Sequence, residues 1–321
     1  MKTSMRIFLF LLPLAVAFTS CSKNEEEQAS SDSTVDGNPN TLKIKGSDTE
    51  LSIVQDLIDT YKADNEGVDI EVTGGGSGTG IQALINGEVD VANSSRQITE
   101  AELAEAEKNG VDPVAVIFGV DAVAVVTNSK LGVDSLSIMQ LRDIFRGQVK
   151  NWKEVGGPDM EITLYGRNAT SGTHGYFQQR VVKGNYCPTM SELSGNEDIV
   201  NAVIEDKSGI GYVGAGFLMD ENGKPRSDMW AMMIYIDGDR AYSPYEVYAV
   251  NSGDYPMIRP LYQYCNGDPE GNLLDFMKFE LSAEGQNIIR RHGYFQINDN
   301  HRLLNQNRAG IHFNPKELAN R

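Results

Sequence analysis

The chain is poor in the residues that hold metals, carry redox chemistry or grip nucleic acid. Its 321 residues include three cysteines, four histidines and two tryptophans. No histidines or cysteines cluster at ligand spacing, so neither a zinc site nor a metal cofactor is expected. Cys187 and Cys265 lie far apart, and their spacing leaves a disulfide open. Positive charge is also scarce. Twenty-eight Lys and Arg against forty-five Asp and Glu give −17, which argues against nucleic acid or an anionic membrane surface as the main partner. An acidic chain that binds an anion must do so through local hydrogen bonds rather than its overall field. What is present is 40% hydrophobic residues, enough for packed cores, and a length that allows two domains.

The N-terminus reads as a targeting segment. Lys2 and Arg6 precede the apolar run Ile7–Phe18, which is too short to span a membrane comfortably. Phe18-Thr19-Ser20-Cys21 resembles a bacterial lipobox, with Phe18 where leucine is commonest. Residues 1–21 are therefore expected to be a lipoprotein signal peptide, with Cys21 the lipidated first residue. Ordinary signal-peptidase cleavage is the alternative. Residues 22–40 are polar and lack an apolar period, as in a flexible tether. Glu25-Glu26-Glu27 reads as a sorting signal or as a solvated part of that tether. The expected location is the bacterial cell envelope, on the periplasmic or cell-surface side.

From Leu42 onward, strand, polar turn and helix recur. Leu42-Lys43-Ile44-Lys45 alternates like a strand, and Leu51, Val54, Leu57, Ile58 and Tyr61 share a helical face. Between them lies Gly46-Ser47-Asp48-Thr49, with Ser47 or Asp48 as an expected N-cap. Val68–Val72 then leads through Gly74-Gly75-Gly76-Ser77-Gly78-Thr79-Gly80 into a helix from Ile81. Val89–Ala92 runs into Asn93-Ser94-Ser95-Arg96, and Thr99-Glu100-Ala101-Glu102 matches a capping box. Pro113–Val126 reads as buried strands with one charge, Asp121. Ile162–Tyr165 leads through Arg167…Ser171-Gly172-Thr173 to a further helix. Gly209–Gly214 is a glycine-bounded strand, a last helix is expected near Leu273–Ile289, and no motif is legible after about Asn298. Such repetition predicts an open α/β sheet with its ligand outside the carboxyl ends of the strands.

Each polar turn combines hydroxyls with a helix start, where backbone N–H groups favour an anion. The glycine stretch has P-loop spacing at Gly75 and Gly80, but Ile81 and Gln82 replace the lysine and hydroxyl that hold nucleotide phosphates. The dinucleotide fingerprint fails as well. Ser171 and His174 are three residues apart without a nucleophile elbow, so a catalytic pair is not expected. Arginine forks at Arg96 and Arg167 suit a tetrahedral oxyanion. Singly, each turn could be only a helix cap or a surface ion pair; four together point to one small anion.

These motifs, with Asn151-Trp152…Gly156-Gly157, Gly209-Ile210-Gly211-Tyr212-Val213, Tyr255-Pro256…Arg259-Pro260-Leu261-Tyr262 and Ser282…Gly285-Gln286…Gly293-Tyr294, resemble the PstS-type binding proteins of bacterial phosphate ABC transporters over roughly Leu42–Ile297. The resemblance implies a two-lobed periplasmic binding protein fold of type II-like α/β class. Its lobes would be residues 41–120 plus 258–321, and 121–257, with the ligand cleft between them. It further implies a monomer that binds inorganic phosphate without catalysis and delivers it to ABC permease subunits. Ser47, Asp48, Thr49, Ser77, Ser95 and Arg96 would bind from one lobe, and Arg167, Ser171, Gly172 and Thr173 from the other. The best-known branch has a proton-accepting aspartate where this chain has Ser95. Asp48 is the candidate replacement, since such an acceptor distinguishes phosphate from sulfate. Alternatives are another tetrahedral oxyanion, a phosphate sensor, or a phosphate-ester hydrolase.

Overall fold

A computed structural model describes residues 41–220 and 223–311. The leader, Cys21 and the tether lie outside them. In chain order the elements are β1 (Leu42–Gly46), α1 (Leu51–Asp64), β2 (Ile70–Thr73), α2 (Ser77–Ile85), β3 (Val91–Ser94), α3 (Glu100–Lys108) and β4 (Pro113–Asn128). β5 (Ser135–Ser137), α4 (Ile138–Phe145), β6 (Thr163–Arg167), α5 (Gly172–Phe177), β7 (Ser191–Leu193), α6 (Asn196–Glu205) and β8 (Gly209–Gly214) follow. The remainder is β9 (Met229–Ala231), β10 (Met233–Tyr235), α7 (Val247–Ser252), β11 (Ile258–Asn266), α8 (Gly271–Leu281), α9 (Ala283–Arg291) and α10 (Asp299–Ala309).

The strands run in the order β2-β1-β3-β11-β4-β8-β6-β7, with β9 also on β4. β1, β2 and β3 are parallel, as are β6 and β8, while β11 and β4 are antiparallel to their neighbours. The parallel strands at either end therefore aim their carboxyl ends, and the polar turns that follow them, at the middle of the molecule.

β4 is the element that joins the two ends. Sequence patterning predicted several strands there, but one strand of 16 residues forms. Its Val- and Ala-rich run fits a pleat buried on both faces, and Gly119 within it marks only a register shift against β11 rather than a break. Residues 113–122 pair with β11 and residues 123–127 pair with β8. The apolar core divides along it. Val116, Ile117 and Phe118 join Ile44, Leu57, Leu84, Tyr262 and Phe276 in one cluster. Val120 and Val123–Val126 join Trp152, Phe177, Ile199, Tyr212 and Met257 in the other.

Four boundaries depart from the sequence reading. α1 has Glu50 as its N-cap residue with no side-chain cap, so neither Ser47 nor Asp48 caps it; the Asp48 carboxylate reaches Gly75 and Arg167 instead, and the Ser47 N–H donates to the Asn93 carbonyl at 3.0 Å. α2 starts at Ser77, inside the glycine stretch, with Gly76 at φ 92° supplying the turn. The expected last helix is two, α8 and α9, because Ser282 ends the first and caps the second by accepting from the N–H of Gly285 at 3.2 Å. Beyond them α10 packs on β4. Its buried Asn305 exchanges two 2.8 Å hydrogen bonds with the N–H and C=O of Ile117, while Leu303 and Leu304 are exposed. A helix anchored by an amide rather than an apolar stripe leaves no period to read. Cys187 and Cys265 are free thiols.

Candidate functional site

Three turns at the carboxyl ends of β1, β3 and β6, with the glycine turn after β2, meet at one buried point. The chain turns sharply after β1, and Thr49 is left with its side chain buried. Its Oγ1 lies 3.1 Å from Oγ1 of Thr173, in the first turn of α5. Ser77, at the start of α2, lies 3.4 Å from the Ser95 hydroxyl. Gly172 packs between those two serines, and a Cβ there would collide with both hydroxyls. Ser47, Thr49, Ser77, Ser95, Arg167, Ser171 and Thr173 are all buried.

The glycine turn closes onto the turn after β6. The N–H of Gly78 donates to the carbonyl of Thr170 at 2.9 Å. A Cβ on Gly76 would lie 2.7 Å from that carbonyl oxygen. Here glycine is required by close backbone approach as well as by φ.

Hydrogen-bond direction gives the site its chemical character. The Ser95 N–H donates to Ser77 Oγ at 3.1 Å, and the His174 N–H donates to Ser171 Oγ at 3.3 Å. Arg259 Nη2 donates to Thr173 Oγ1 at 3.0 Å and to Thr49 Oγ1 at 3.4 Å. An N–H cannot accept, so each of these four hydroxyls is bound through a lone pair and keeps its proton to donate elsewhere. Four hydroxyls that each keep a proton to place, two of them bonded to one another across the cluster, suit a ligand rich in acceptors.

Arg167 adds charge. Its guanidinium is buried, and Nη2 donates to Asp48 Oδ2 at 2.6 Å. Its Nε is buried without an acceptor among the described residues. Asp48 Oδ1 accepts from the Gly75 N–H at 2.8 Å, so one carboxylate ties the glycine turn to the arginine opposite. The Tyr212 hydroxyl accepts from the Arg167 N–H at 3.2 Å, and its ring stacks on Phe177 at 4.2 Å. That aromatic packing fixes the end of β6. Burial pushes the Tyr212 hydroxyl up to about 12, so it stays a neutral donor and acceptor.

Arg96 departs from expectation. Its fork is taken by Glu102, at 2.6 and 2.8 Å, and by the Gln97 carbonyl at 2.9 Å. Burial works to raise Glu102, but Arg96 and the Thr99 N–H outweigh it and hold the carboxyl below its usual range. The capping box that Thr99 and Glu102 form is thus what takes this arginine. The buried pair missing from the expected site is Arg259 with Asp121. Arg259 Nε and Nη2 donate to Asp121 Oδ2 at 2.9 and 2.7 Å, and Nη1 donates to the Ser95 carbonyl at 3.1 Å. The signal was visible: one acid in an apolar strand and one arginine beside a proline. Neither adjoins a glycine or serine turn. The His174 imidazole is no partner for the Ser171 hydroxyl; its Nδ1 lies 2.7 Å from the Arg167 carbonyl.

Comparison with known proteins follows the same lines. A family profile described as a PBP superfamily domain matches residues 26–284. The Pseudomonas aeruginosa phosphate-binding protein PstS is 31% identical over 274 residues, covering 80% of this chain and 83% of that protein. The Bacillus subtilis protein of the same name is 28% identical over 306 residues, covering 93% and 95%. Among solved structures, a Clostridium perfringens protein with bound phosphate superposes with a TM-score of 0.70 at 24% identity, covering 81% of this chain and all of that one. An ABC-type phosphate transport receptor from Vibrio cholerae gives 0.64, also at 24% identity, over 80% of this chain. The shared fold is the two-lobed α/β architecture of periplasmic binding proteins.

Proposed function

We propose that this chain, which belongs to the PstS-type phosphate-binding proteins of the PBP superfamily, captures inorganic phosphate outside the cytoplasm and delivers it to an ABC permease for import. The observation that carries this reading is the set of four hydroxyls held through their lone pairs, facing a buried arginine with an unused N–H. Water can both donate and accept in such a place, whereas three of the four oxygens of monohydrogen phosphate only accept. Each charge-assisted hydrogen bond contributes roughly 1.5–3 kcal/mol. Several together, after association costs, support affinity near 1 μM, about −8 kcal/mol.

The two apolar clusters support a division into two lobes close to the bounds proposed above, although Val120 and Phe295 pack with the second cluster, and β4 and β11 serve as the crossover. Residues of the first lobe (Ser47, Asp48, Thr49, Ser77, Ser95) and of the second (Arg167, Ser171, Gly172, Thr173) each supply half of the contacts. Closure follows because the ligand makes the full set only in the closed state. The hydroxyl-to-hydroxyl bonds between Thr49 and Thr173 and between Ser77 and Ser95 are replaced by hydroxyl-to-oxyanion bonds. Asp48 keeps a second lone pair on each oxygen. Beside Arg167, it accepts the proton of monohydrogen phosphate, which sulfate lacks. The chain binds and releases its ligand unchanged, with no nucleophile in play. Cys21, as lipid attachment point, keeps the monomeric protein at the membrane.

Equilibrium dialysis with labelled phosphate, competed by arsenate, sulfate and tungstate, tests the proposal. The expected result is saturable binding displaced by arsenate and not by sulfate. Displacement by tungstate in preference to phosphate would reassign the ligand, and absence of oxyanion binding would sink the reading.

A further inference from the structure

Arg259 reaches three of the four turns of the anion cluster without lying in any of them. It stands on β11, is 2% exposed, and bonds Asp121 of β4, the Ser95 carbonyl, and the hydroxyls of Thr49 and Thr173. Tyr176 covers its other side, with the guanidinium carbon 5.4 Å from the ring centroid. Asp121 in turn accepts from the Ala215 N–H through Oδ1 at 2.8 Å. The fork is therefore immobile, and its charge is balanced inside the protein.

We infer that Arg259 is a positioning residue of the phosphate site: by occupying one lone pair on both Thr49 and Thr173 with one fixed nitrogen, it leaves each hydroxyl one proton and one lone pair, biases both toward donation to the ligand, and aligns one hydroxyl from each lobe. The inference rests on the oxyanion reading and deepens it. A free threonine hydroxyl has two lone pairs and a proton to place; one already bound to a guanidinium N–H has one lone pair fewer, which narrows the sides on which its proton can lie and favours donation. Arg167 is the charge that meets the anion. Arg259, neutralised by Asp121, sets the direction of its neighbours. It also explains why a buried ion pair sits at the crossover strands, where an apolar pair of similar volume would often be as stable.

The test is a double-mutant cycle on the purified chain, read by phosphate titration calorimetry. Arg259→Met combined with Asp121→Asn removes the charge pair together, and the amide oxygen so introduced can still accept from the Ala215 N–H. This variant is expected to lose about 10- to 100-fold in phosphate affinity. In a Thr173→Val background the same pair of changes should cost markedly less, because one of the two hydroxyls it directs is gone. The pH profile is the second readout. Freed hydroxyls can accept the extra proton of dihydrogen phosphate, so affinity should fall less between about pH 8 and about pH 6 than in the wild type. If the pair variant does not fold, Arg259→Lys keeps the charge beside Asp121 but cannot span four acceptors with one planar fork; a loss of about tenfold is expected. Wild-type affinity in folded variants, or losses that simply add to that of Thr173→Val, would overturn the inference. Failure of the wild type to bind any oxyanion would instead remove the reading on which it rests.

Discussion

Two arginine–aspartate pairs flank the same cluster and do opposite work. In Arg167–Asp48 the arginine side chain is 2% exposed and the aspartate 25%; in Arg259–Asp121 the figures are 2% and 0%. The first pair bridges two turns, and its arginine retains a buried N–H without an acceptor among the described residues. The second is closed on itself, with Nε and Nη2 converging on one oxygen. On the proposed reading, the ion pair left open binds a guest, while the closed one arranges its hosts. Burial alone does not separate binder from organiser; the unfilled donor does.

The contrast between the pairs is most exposed to test at Arg167. Arg167→Ala should weaken phosphate binding by about 100-fold or more, since it removes a charged fork and leaves Asp48 facing the anion. Calorimetry reads this, and a loss of only a few-fold would make Arg167 a structural residue. Gly172→Ala comes next, at about 10- to 100-fold, because the new methyl group meets the Ser77 and Ser95 hydroxyls. Asp48→Asn should cost about tenfold and, more tellingly, narrow the preference for phosphate over sulfate. An unchanged preference would remove Asp48 as the proton acceptor and leave it as the anchor of Arg167 and Gly75.

Smaller effects are expected from the groups around the cluster. Glu50 follows Thr49 and is fully buried. Burial pushes its carboxyl well above the ordinary 4.5, with Arg259 and Ser47 offsetting part of the rise; Glu280 is raised in the same way, chiefly by burial. The folded state thus holds these protons more tightly than the unfolded chain. Their contribution to stability is complete below the ordinary value and is lost as pH rises from there through the raised value. Denaturant midpoints should decline across that window, and Glu50→Gln should flatten the decline, gaining stability at its alkaline end. Equal slopes in the two proteins would mean Glu50 ionises freely when folded. Smallest of all should be Arg96→Ala, below about threefold in phosphate affinity, because Glu102 occupies its fork. A loss above tenfold would return Arg96 to the binding set.

Much of the architecture and most of the cluster could be read before any coordinates. Strand–turn–helix units announce themselves through apolar period and turn chemistry, so the turns at Ser47, Ser77, Ser95 and Ser171 emerged as a group. Three things did not. Arg96 looked like a binder because its turn is right, and only the packing of α3 beside it brings Glu102 to its fork. Arg259 and Asp121 meet across 138 residues, a pairing set by the register of β11 on β4. α10 is held by Asn305 on the backbone of Ile117, which leaves no apolar signature. Local chemistry was legible, while contacts created by register and docking were not.

Everything above turns on one anion lying among the Thr49, Ser77, Ser95, Ser171 and Thr173 hydroxyls with Arg167 beside it. A crystal structure of the phosphate-soaked protein would show it or its absence. The expected density is one tetrahedral ion touching Arg167 and hydroxyls from both sides of Gly172, with Arg259 bonded to Thr49 and Thr173 behind it and making no contact of its own. Phosphate held elsewhere, such as the 390 Å³ cavity lined by Leu218, Tyr245 and Phe295, with the hydroxyl cluster still bonded to itself, would refute that placement.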